Sequence, residues 1–169
     1  ISSKFSSQST GFLTITNGTF KYEAPSAITP FAASFDIPLT GGMWINNSSA
    51  AVTTTGGNLS VSGFLRITNG ILNVGTAADQ SLISDGGDII IEGGTVNVAG
   101  SFNRTNTVTT TQLAISNGSL RVATTSSTST TLAPFMMDVP GSSLNWSGGS
   151  IVIVREGGTG ATNLGFIDT

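Results

Sequence analysis

Apolar and polar residues alternate along most of this chain, and Asn-Gly or Gly-Gly interrupts the alternation at intervals. In LAISNGSLRV, Leu113 to Val122, the order is Φ-x-Φ-x-Asn-Gly-x-Φ-x-Φ, with Φ apolar. Period-two alternation marks a β-strand with one buried face. Asn-Gly taken alone suits the tight turn of a β-hairpin. The pattern recurs, however, as LTITNGTFKY from Leu13, LRITNGILNV from Leu65 and IIIEGGTVNV from Ile89. Looser copies are MWINNSSAAV from Met43 and LNWSGGSIVI from Leu144. The second turn residue stands at 18, 48, 70, 94, 118 and 149, so the copies step by 30, 22, 24, 24 and 31 residues.

Stacking the copies gives four apolar columns, headed by Leu13, Ile15, Phe20 and Tyr22 and ending at Leu144, Trp146, Ile151 and Ile153. The columns between them are mixed: Thr14, Trp44, Arg66, Ile90, Ala114 and Asn145 form one of them. A step of 22–24 residues accommodates three short strands and three turns. The fold predicted is all-β: a right-handed parallel β-helix of about six coils of 22–31 residues, rising ~4.8 Å per coil and about 30 Å long. Asn17, Asn47, Asn69 and Asn117 are predicted at a sharp corner, tolerating left-handed backbone and bonding the amide of the coil above or below. The competing reading is an antiparallel array of hairpins. Its turns recur every 8–12 residues or so, whereas here a third strand fits between copies, as in FDIPLTGG, NLSVSG and SLISDGG.

A longer period supports the array. TITNGTFKYEAPSAITPFAASFDIPLTGG is similar to AISNGSLRVATTSSTSTTLAPFMMDVPGSS, carried by Pro30-Phe31 with Pro134-Phe135 and by Asp36-Ile37-Pro38 with Asp138-Val139-Pro140. Residues 1–169 are therefore expected to form a single β-helix segment, an excerpt of a longer chain with a super-repeat of about 100 residues. Neither end shows an obvious polar cap, so both are expected to expose strand edges that further coils or another subunit would cover.

Composition narrows the function. Charged residues are only 9% and the net charge is −3, which leaves no basic face for nucleic acid or an anionic membrane. Cys and His are both absent, removing disulfides, thiolate metal sites and the commonest general base. No apolar run reaches the length of a membrane span. A Cys-free, Ser/Thr/Asn/Gly-rich, weakly acidic β-protein points to an extracellular or cell-surface setting.

LRITNGILNVG and IIIEGGTVNVAG resemble the repeat regions of very large secreted bacterial β-helix proteins: autotransporter passengers, filamentous adhesins and the giant type IX-secreted surface proteins of gliding Bacteroidota. The resemblance spans roughly residues 11 to 154. It implies adhesion or a structural stalk at the cell surface and transfers no catalytic residue.

Candidate chemistry is sparse. The carboxylate cluster is Asp79, Asp85, Asp88 and Glu92, with Arg66 one coil away. Asp85-Gly-Gly-Asp88 sets two carboxylates around a turn, the donor type that calcium takes and that polysaccharide lyases and hydrolases need in clusters. Solvated turn residues are the simpler account, and neither a cofactor nor catalysis is expected. GGTGATNLG, from Gly157, resembles a calcium-binding nonapeptide but has Thr162 where the acid belongs. Trp44, in an outward column, is the candidate for stacking on a surface glycan; the alternative is packing under an enlarged loop from Ala24 to Leu39. Three roles are in play: structural or adhesive segment, carbohydrate-cleaving enzyme, or glycan-binding module. The first is preferred.

Overall fold

The computed structural model describes residues 11, 13–104, 110–125, 133–154 and 166–168. Its strands are β1 (Gly18–Tyr22), β2 (Ala27–Phe31), β3 (Phe35–Ile37), β4 (Gly41–Thr54), β5 (Leu59–Val61), β6 (Phe64–Val74), β7 (Leu82–Ser84) and β8 (Asp88–Ile91). They continue with β9 (Thr95–Val98), β10 (Phe102–Asn103), β11 (Gln112–Ile115), β12 (Ser119–Val122), β13 (Phe135–Met137), β14 (Ser143–Trp146), β15 (Ser150–Ile153) and β16 (Phe166–Asp168). Every pairing among them is parallel. Parallel neighbours cannot be joined by two-residue hairpins, so the antiparallel reading is excluded. The chain is a parallel β-helix, or β-solenoid.

Each coil has three sides. Strands β1, β8, β11 and β14, with the first halves of β4 and β6, make the first side. The second side is β2, β9, β12 and β15 with the second halves of β4 and β6. The third is the six-stranded sheet β3-β5-β7-β10-β13-β16. Four turns run without a break from Gly18 to Arg104; the two rungs after them are described only in part.

Burial explains the register. Sliding a strand by one residue would turn its whole apolar set outward. Leu65, Ile89, Leu113 and Leu144 pair in one column and Ile67, Ile91, Ile115 and Trp146 in the next. Across the first corner, Leu72, Val96, Leu120 and Ile151 pair in the same way. All but the last rung of these columns is buried. On the third side Phe102 stacks on Phe135 with ring centroids 5.0 Å apart.

The two N-terminal copies depart from the predicted columns. Phe20 and Tyr22 pair with Met43 and Ile45 on the first side, not with Ala50 and Val52 across the corner. The reason is that Ala24 to Leu39 is no loop: it holds β2 and β3 and completes the coil that β1 begins. Leu13 to Ile15 are thereby released from the stack. The Gly11 and Leu13 amides donate to the Thr29 and Pro30 carbonyls of β2, and Thr40 Oγ1 donates to the Thr16 carbonyl across the coil. Between these two anchors Ile15 is buried, its side chain lying against Gly41. The edge of β2 is thereby covered, while β1 and β3 each have one strand partner among the described residues. In the second copy, extra residues at the corner shift Val52 onto Leu72 and bring Thr54 opposite Val74.

The long period also changes register. Phe31 lies on the second side, whereas Phe135 lies on the third, in the column that runs through Phe102, Leu82 and Leu59 to Phe35. Asp36 comes directly after Phe35; Asp138 stands three residues past Phe135. They are not column equivalents, although β3 and β13 are four strands apart in the sheet, as the repeat length requires.

Candidate functional site

The outward column of the first side runs Lys21, Trp44, Arg66, Ile90, Ala114 and Asn145, in register. Parallel strands place these side chains about 4.8 Å apart, so each meets its neighbours along the axis. Trp44 has Lys21 Nζ at 4.0 Å and Arg66 Cζ at 4.8 Å from its ring centroid, one from the rung on each side. Its indole Nε1 donates to Thr68 Oγ1 at 2.9 Å. Cation–π contacts of this kind are worth about 0.5–1 kcal/mol when exposed. A sugar would have to displace a cation to stack on the ring. Trp44 packs, but against these outward neighbours and not beneath Ala24 to Leu39.

Both cations are themselves paired. Arg66 grips Glu92 through Nε and Nη2 at 2.9 and 2.8 Å, and Thr68 Oγ1 donates to the same carboxylate. Lys21 lies 2.7 Å from Glu23, which also accepts from Asn46 Nδ2. The guanidinium of Arg66 holds the Glu92 carboxyl below its ordinary range, and Lys21 does the same for Glu23. Asp138 is held down by Arg104, which bonds it through Nε and Nη2. All three shifts favour the ionised form, the opposite of what a general acid needs.

The predicted carboxylate cluster is dispersed. Glu92 belongs to Arg66, and Asp88 is exposed at the start of β8, in register with Phe64 and Gln112. Asp85 is half-buried in the preceding turn, where its amide donates to the Val61 carbonyl. Among the described residues, no three acidic, His or Cys side chains gather to hold a metal ion. The Gly157 nonapeptide with Thr162 lies outside the described residues.

Asn47, Asn69 and Asn117 flank the first corner, but not as a stack of amides, whereas Asn17 precedes β1 at the start of the first side. Left-handed backbone is taken by Gly18 and Gly70, which follow Asn17 and Asn69, and by Gly149, with φ of 78°, 87° and 77°. The Asn47 amide reaches the Glu23 carbonyl, and Asn69 reaches Asn46 Oδ1 at 3.4 Å. Asn17 and Asn117 point to solvent. Close approach explains the glycines better than any amide ladder does. A Cβ on Gly94 would stand 2.5 Å from the Gly70 carbonyl oxygen, one on Gly118 2.7 Å from that of Gly94, and one on Gly149 2.1 Å from that of Gly118. Corner glycines thus stack backbone on backbone.

A polar ladder exists elsewhere. At the second corner, the Asn58 amide donates to Ser34 Oγ, the Ser81 amide to Asn58 Oδ1, and the Ser81 and Ser101 hydroxyls bond at 3.0 Å. Each of these residues immediately precedes a third-side strand. That recurring small polar residue before Phe35, Leu59, Leu82 and Phe102 was a readable signal. On the second side, Asn97 donates to Asn73 Oδ1 at 3.0 Å and Asn73 to Thr53.

The chain matches no family model, no curated protein and no solved structure. Among the described residues no helix is long and apolar enough to cross a membrane. The fold is therefore the ground on which a function has to be argued.

Proposed function

We propose that this chain is a rigid segment of a secreted bacterial surface protein, serving as an adhesin stalk or fibre at the cell exterior. The observation that carries the reading is the unbroken axial ladder: strand on strand, corner on corner, with the same apolar pair repeated along the first side from Met43–Ile45 to Leu113–Ile115. Solenoids of this kind are quasi-one-dimensional, and length is what they supply. Composition supports an extracellular setting, and the resemblance to secreted bacterial repeats supports the surface role. Its partners would be further β-helix coils and, at a distal tip, surface glycans.

Electron microscopy of the intact native protein tests this. A thin rod much longer than the roughly 30 Å of six rungs is expected. A compact particle holding only these coils would overturn the stalk reading.

A further inference from the structure

At three places an asparagine is joined directly to a glycine at a bend: Asn17-Gly18, Asn69-Gly70 and Asn117-Gly118. Asparagine is the chemically labile member of such a pair. Glycine, lacking a Cβ, leaves its own amide nitrogen open to the preceding side chain. A hydrogen-bonded amide must first be released before it can attack a neighbouring carbon. The fold treats the three pairs differently in this respect. The Gly18 amide donates to the Thr40 carbonyl at 3.0 Å. Gly70 lies inside β6, which is paired on both edges, and the Asn69 amide reaches Asn46 Oδ1 at 3.4 Å. Asn117 is exposed in the bend between β11 and β12, and among the described residues neither its side chain nor the Gly118 amide makes a hydrogen bond. The amides of Gly94 and Gly149 are open in the same way among the described residues, but glycine precedes both. Asn47 is followed by Ser48, and its side chain is held at both atoms, by the Glu23 carbonyl and the Ser49 amide.

We propose that Asn117-Gly118 is a site of spontaneous backbone rearrangement, converting to an isoaspartyl link that loosens the adjoining rung. The Gly118 nitrogen bonds Asn117 Cγ, the Cγ–Nδ2 bond breaks, and ammonia departs with the Gly118 amide proton. Solvent water then opens the resulting succinimide ring at one of its carbonyls, leaving a carboxylate and releasing a proton. Opening at the former backbone carbonyl routes the main chain through Cβ and Cγ and lengthens it by a methylene. The corner has no room for that length. A Cβ on Gly118 would already stand 2.3 Å from Ile91 Cγ2 and 2.7 Å from the Gly94 carbonyl oxygen, and one on Gly149 would stand 2.1 Å from the Gly118 carbonyl oxygen. Leu120 and Val122, wholly buried, hold β12 in register beyond the bend. The displacement therefore falls on the axial bonds at the corner, from the Ser119 amide to the Gly94 carbonyl and from the Ser150 amide to the Gly118 carbonyl, each 2.9 Å. The second of these ties the rung of β14 and β15 to the rest. This inference does not depend on the stalk reading, because it requires only the corner geometry.

The test ages the 169-residue chain at mildly alkaline pH, folded and in concentrated urea, beside the Asn117→Gln variant, whose longer side chain closes such rings far more slowly. Cleavage after lysine and arginine puts the three pairs on separate peptides, because Lys21, Arg66, Arg104 and Arg121 divide them. Mass spectrometry then reads the conversion of amide to acid at each site. In the folded chain Asn117 should convert about fivefold faster than Asn17 or Asn69, the factor that one net backbone hydrogen bond represents. Urea should make the three rates similar. Amide exchange in β14 and β15 should quicken as the folded chain ages, and should stay constant in Asn117→Gln. Equal rates in the folded chain, or a faster Asn17 or Asn69, would overturn the proposal. So would full conversion at Asn117 with exchange in β14 and β15 unchanged, or the same quickening in Asn117→Gln.

Discussion

The N-terminal and C-terminal ends of the stack carry similar apolar sequences and meet opposite fates. LTITNG and LNWSGG both read as first-side strands. The first stands outside the first-side pairing, with Ile15 at 7% exposure; the second stays in register and leaves Trp146 half in solvent. The difference arises from the chain downstream of the first segment. After LTITNG there is still a full complement of three strands, β1 to β3, before the next coil begins. The extra segment is free to lie along β2.

The N-terminal segment, with its buried Ile15, should be the more sensitive of the two to substitution. Ile15→Asp should destabilise the chain by about 3 kcal/mol or more, because it sets an unpaired charge against the core. Ile15→Ala should cost about 2–4 kcal/mol, the usual range for emptying a buried aliphatic site. Urea unfolding measures both, and a change below about 1 kcal/mol for the alanine variant would mean that Ile15 is not packed against the core.

Acid sets a smaller effect, confined to ionised pairs. Glu92 and Asp138 have folded pKa values depressed below ordinary values of 4.5 and 3.8 by Arg66 and Arg104. Their contribution is complete above those unfolded values and is lost as pH falls through the depressed ones. Stability should therefore hold from neutrality to about pH 5 and decline below about pH 4. Each pair is partly exposed, so the loss should be about 0.5–1 kcal/mol apiece. Arg66→Ala should flatten the Glu92 share of that decline; an unchanged acid limb would assign the pair no energetic role.

The smallest effect belongs to the open end. Trp146→Ser should change the stability of the 169-residue chain by no more than about 0.5 kcal/mol, as for an exposed surface site. Amide exchange in β14 and β15 should be far faster than in β6, which is paired on both edges. A Trp146 substitution as costly as that of Ile15 would erase the distinction between the ends.

The two ends also show how far the fold was legible in the residues alone. Regular rungs were legible, because the apolar pairs at Leu65–Ile67, Ile89–Ile91 and Leu113–Ile115 recur at a constant spacing and burial enforces one register. Third-side strands were legible for the same reason in NLSVSG and SLISDGG. The N-terminal register was not, since LTITNG fits the repeat as well as any copy does, and only the strand count of Ala24 to Leu39 decides against it. Site chemistry was legible least. Proximity in sequence cannot say that Glu92 is claimed by Arg66, nor could the outward position of Trp44 show that cations from both adjacent rungs cover its ring. Such facts depend on axial neighbours 22 to 26 residues away, and the repeat must be placed in register before they appear.

The axial stacking also sets how the molecule should fail under load. Its backbone hydrogen bonds lie along the solenoid axis, so a pull at the C-terminal end separates one rung at a time instead of shearing many together. Each regular rung holds 24 residues and would release about 80 Å of chain. Extension should then proceed as a series of steps that begin at β16, β15 and β14 and travel toward β1. Such a solenoid would pay out chain one rung at a time, as a ratcheted tether does.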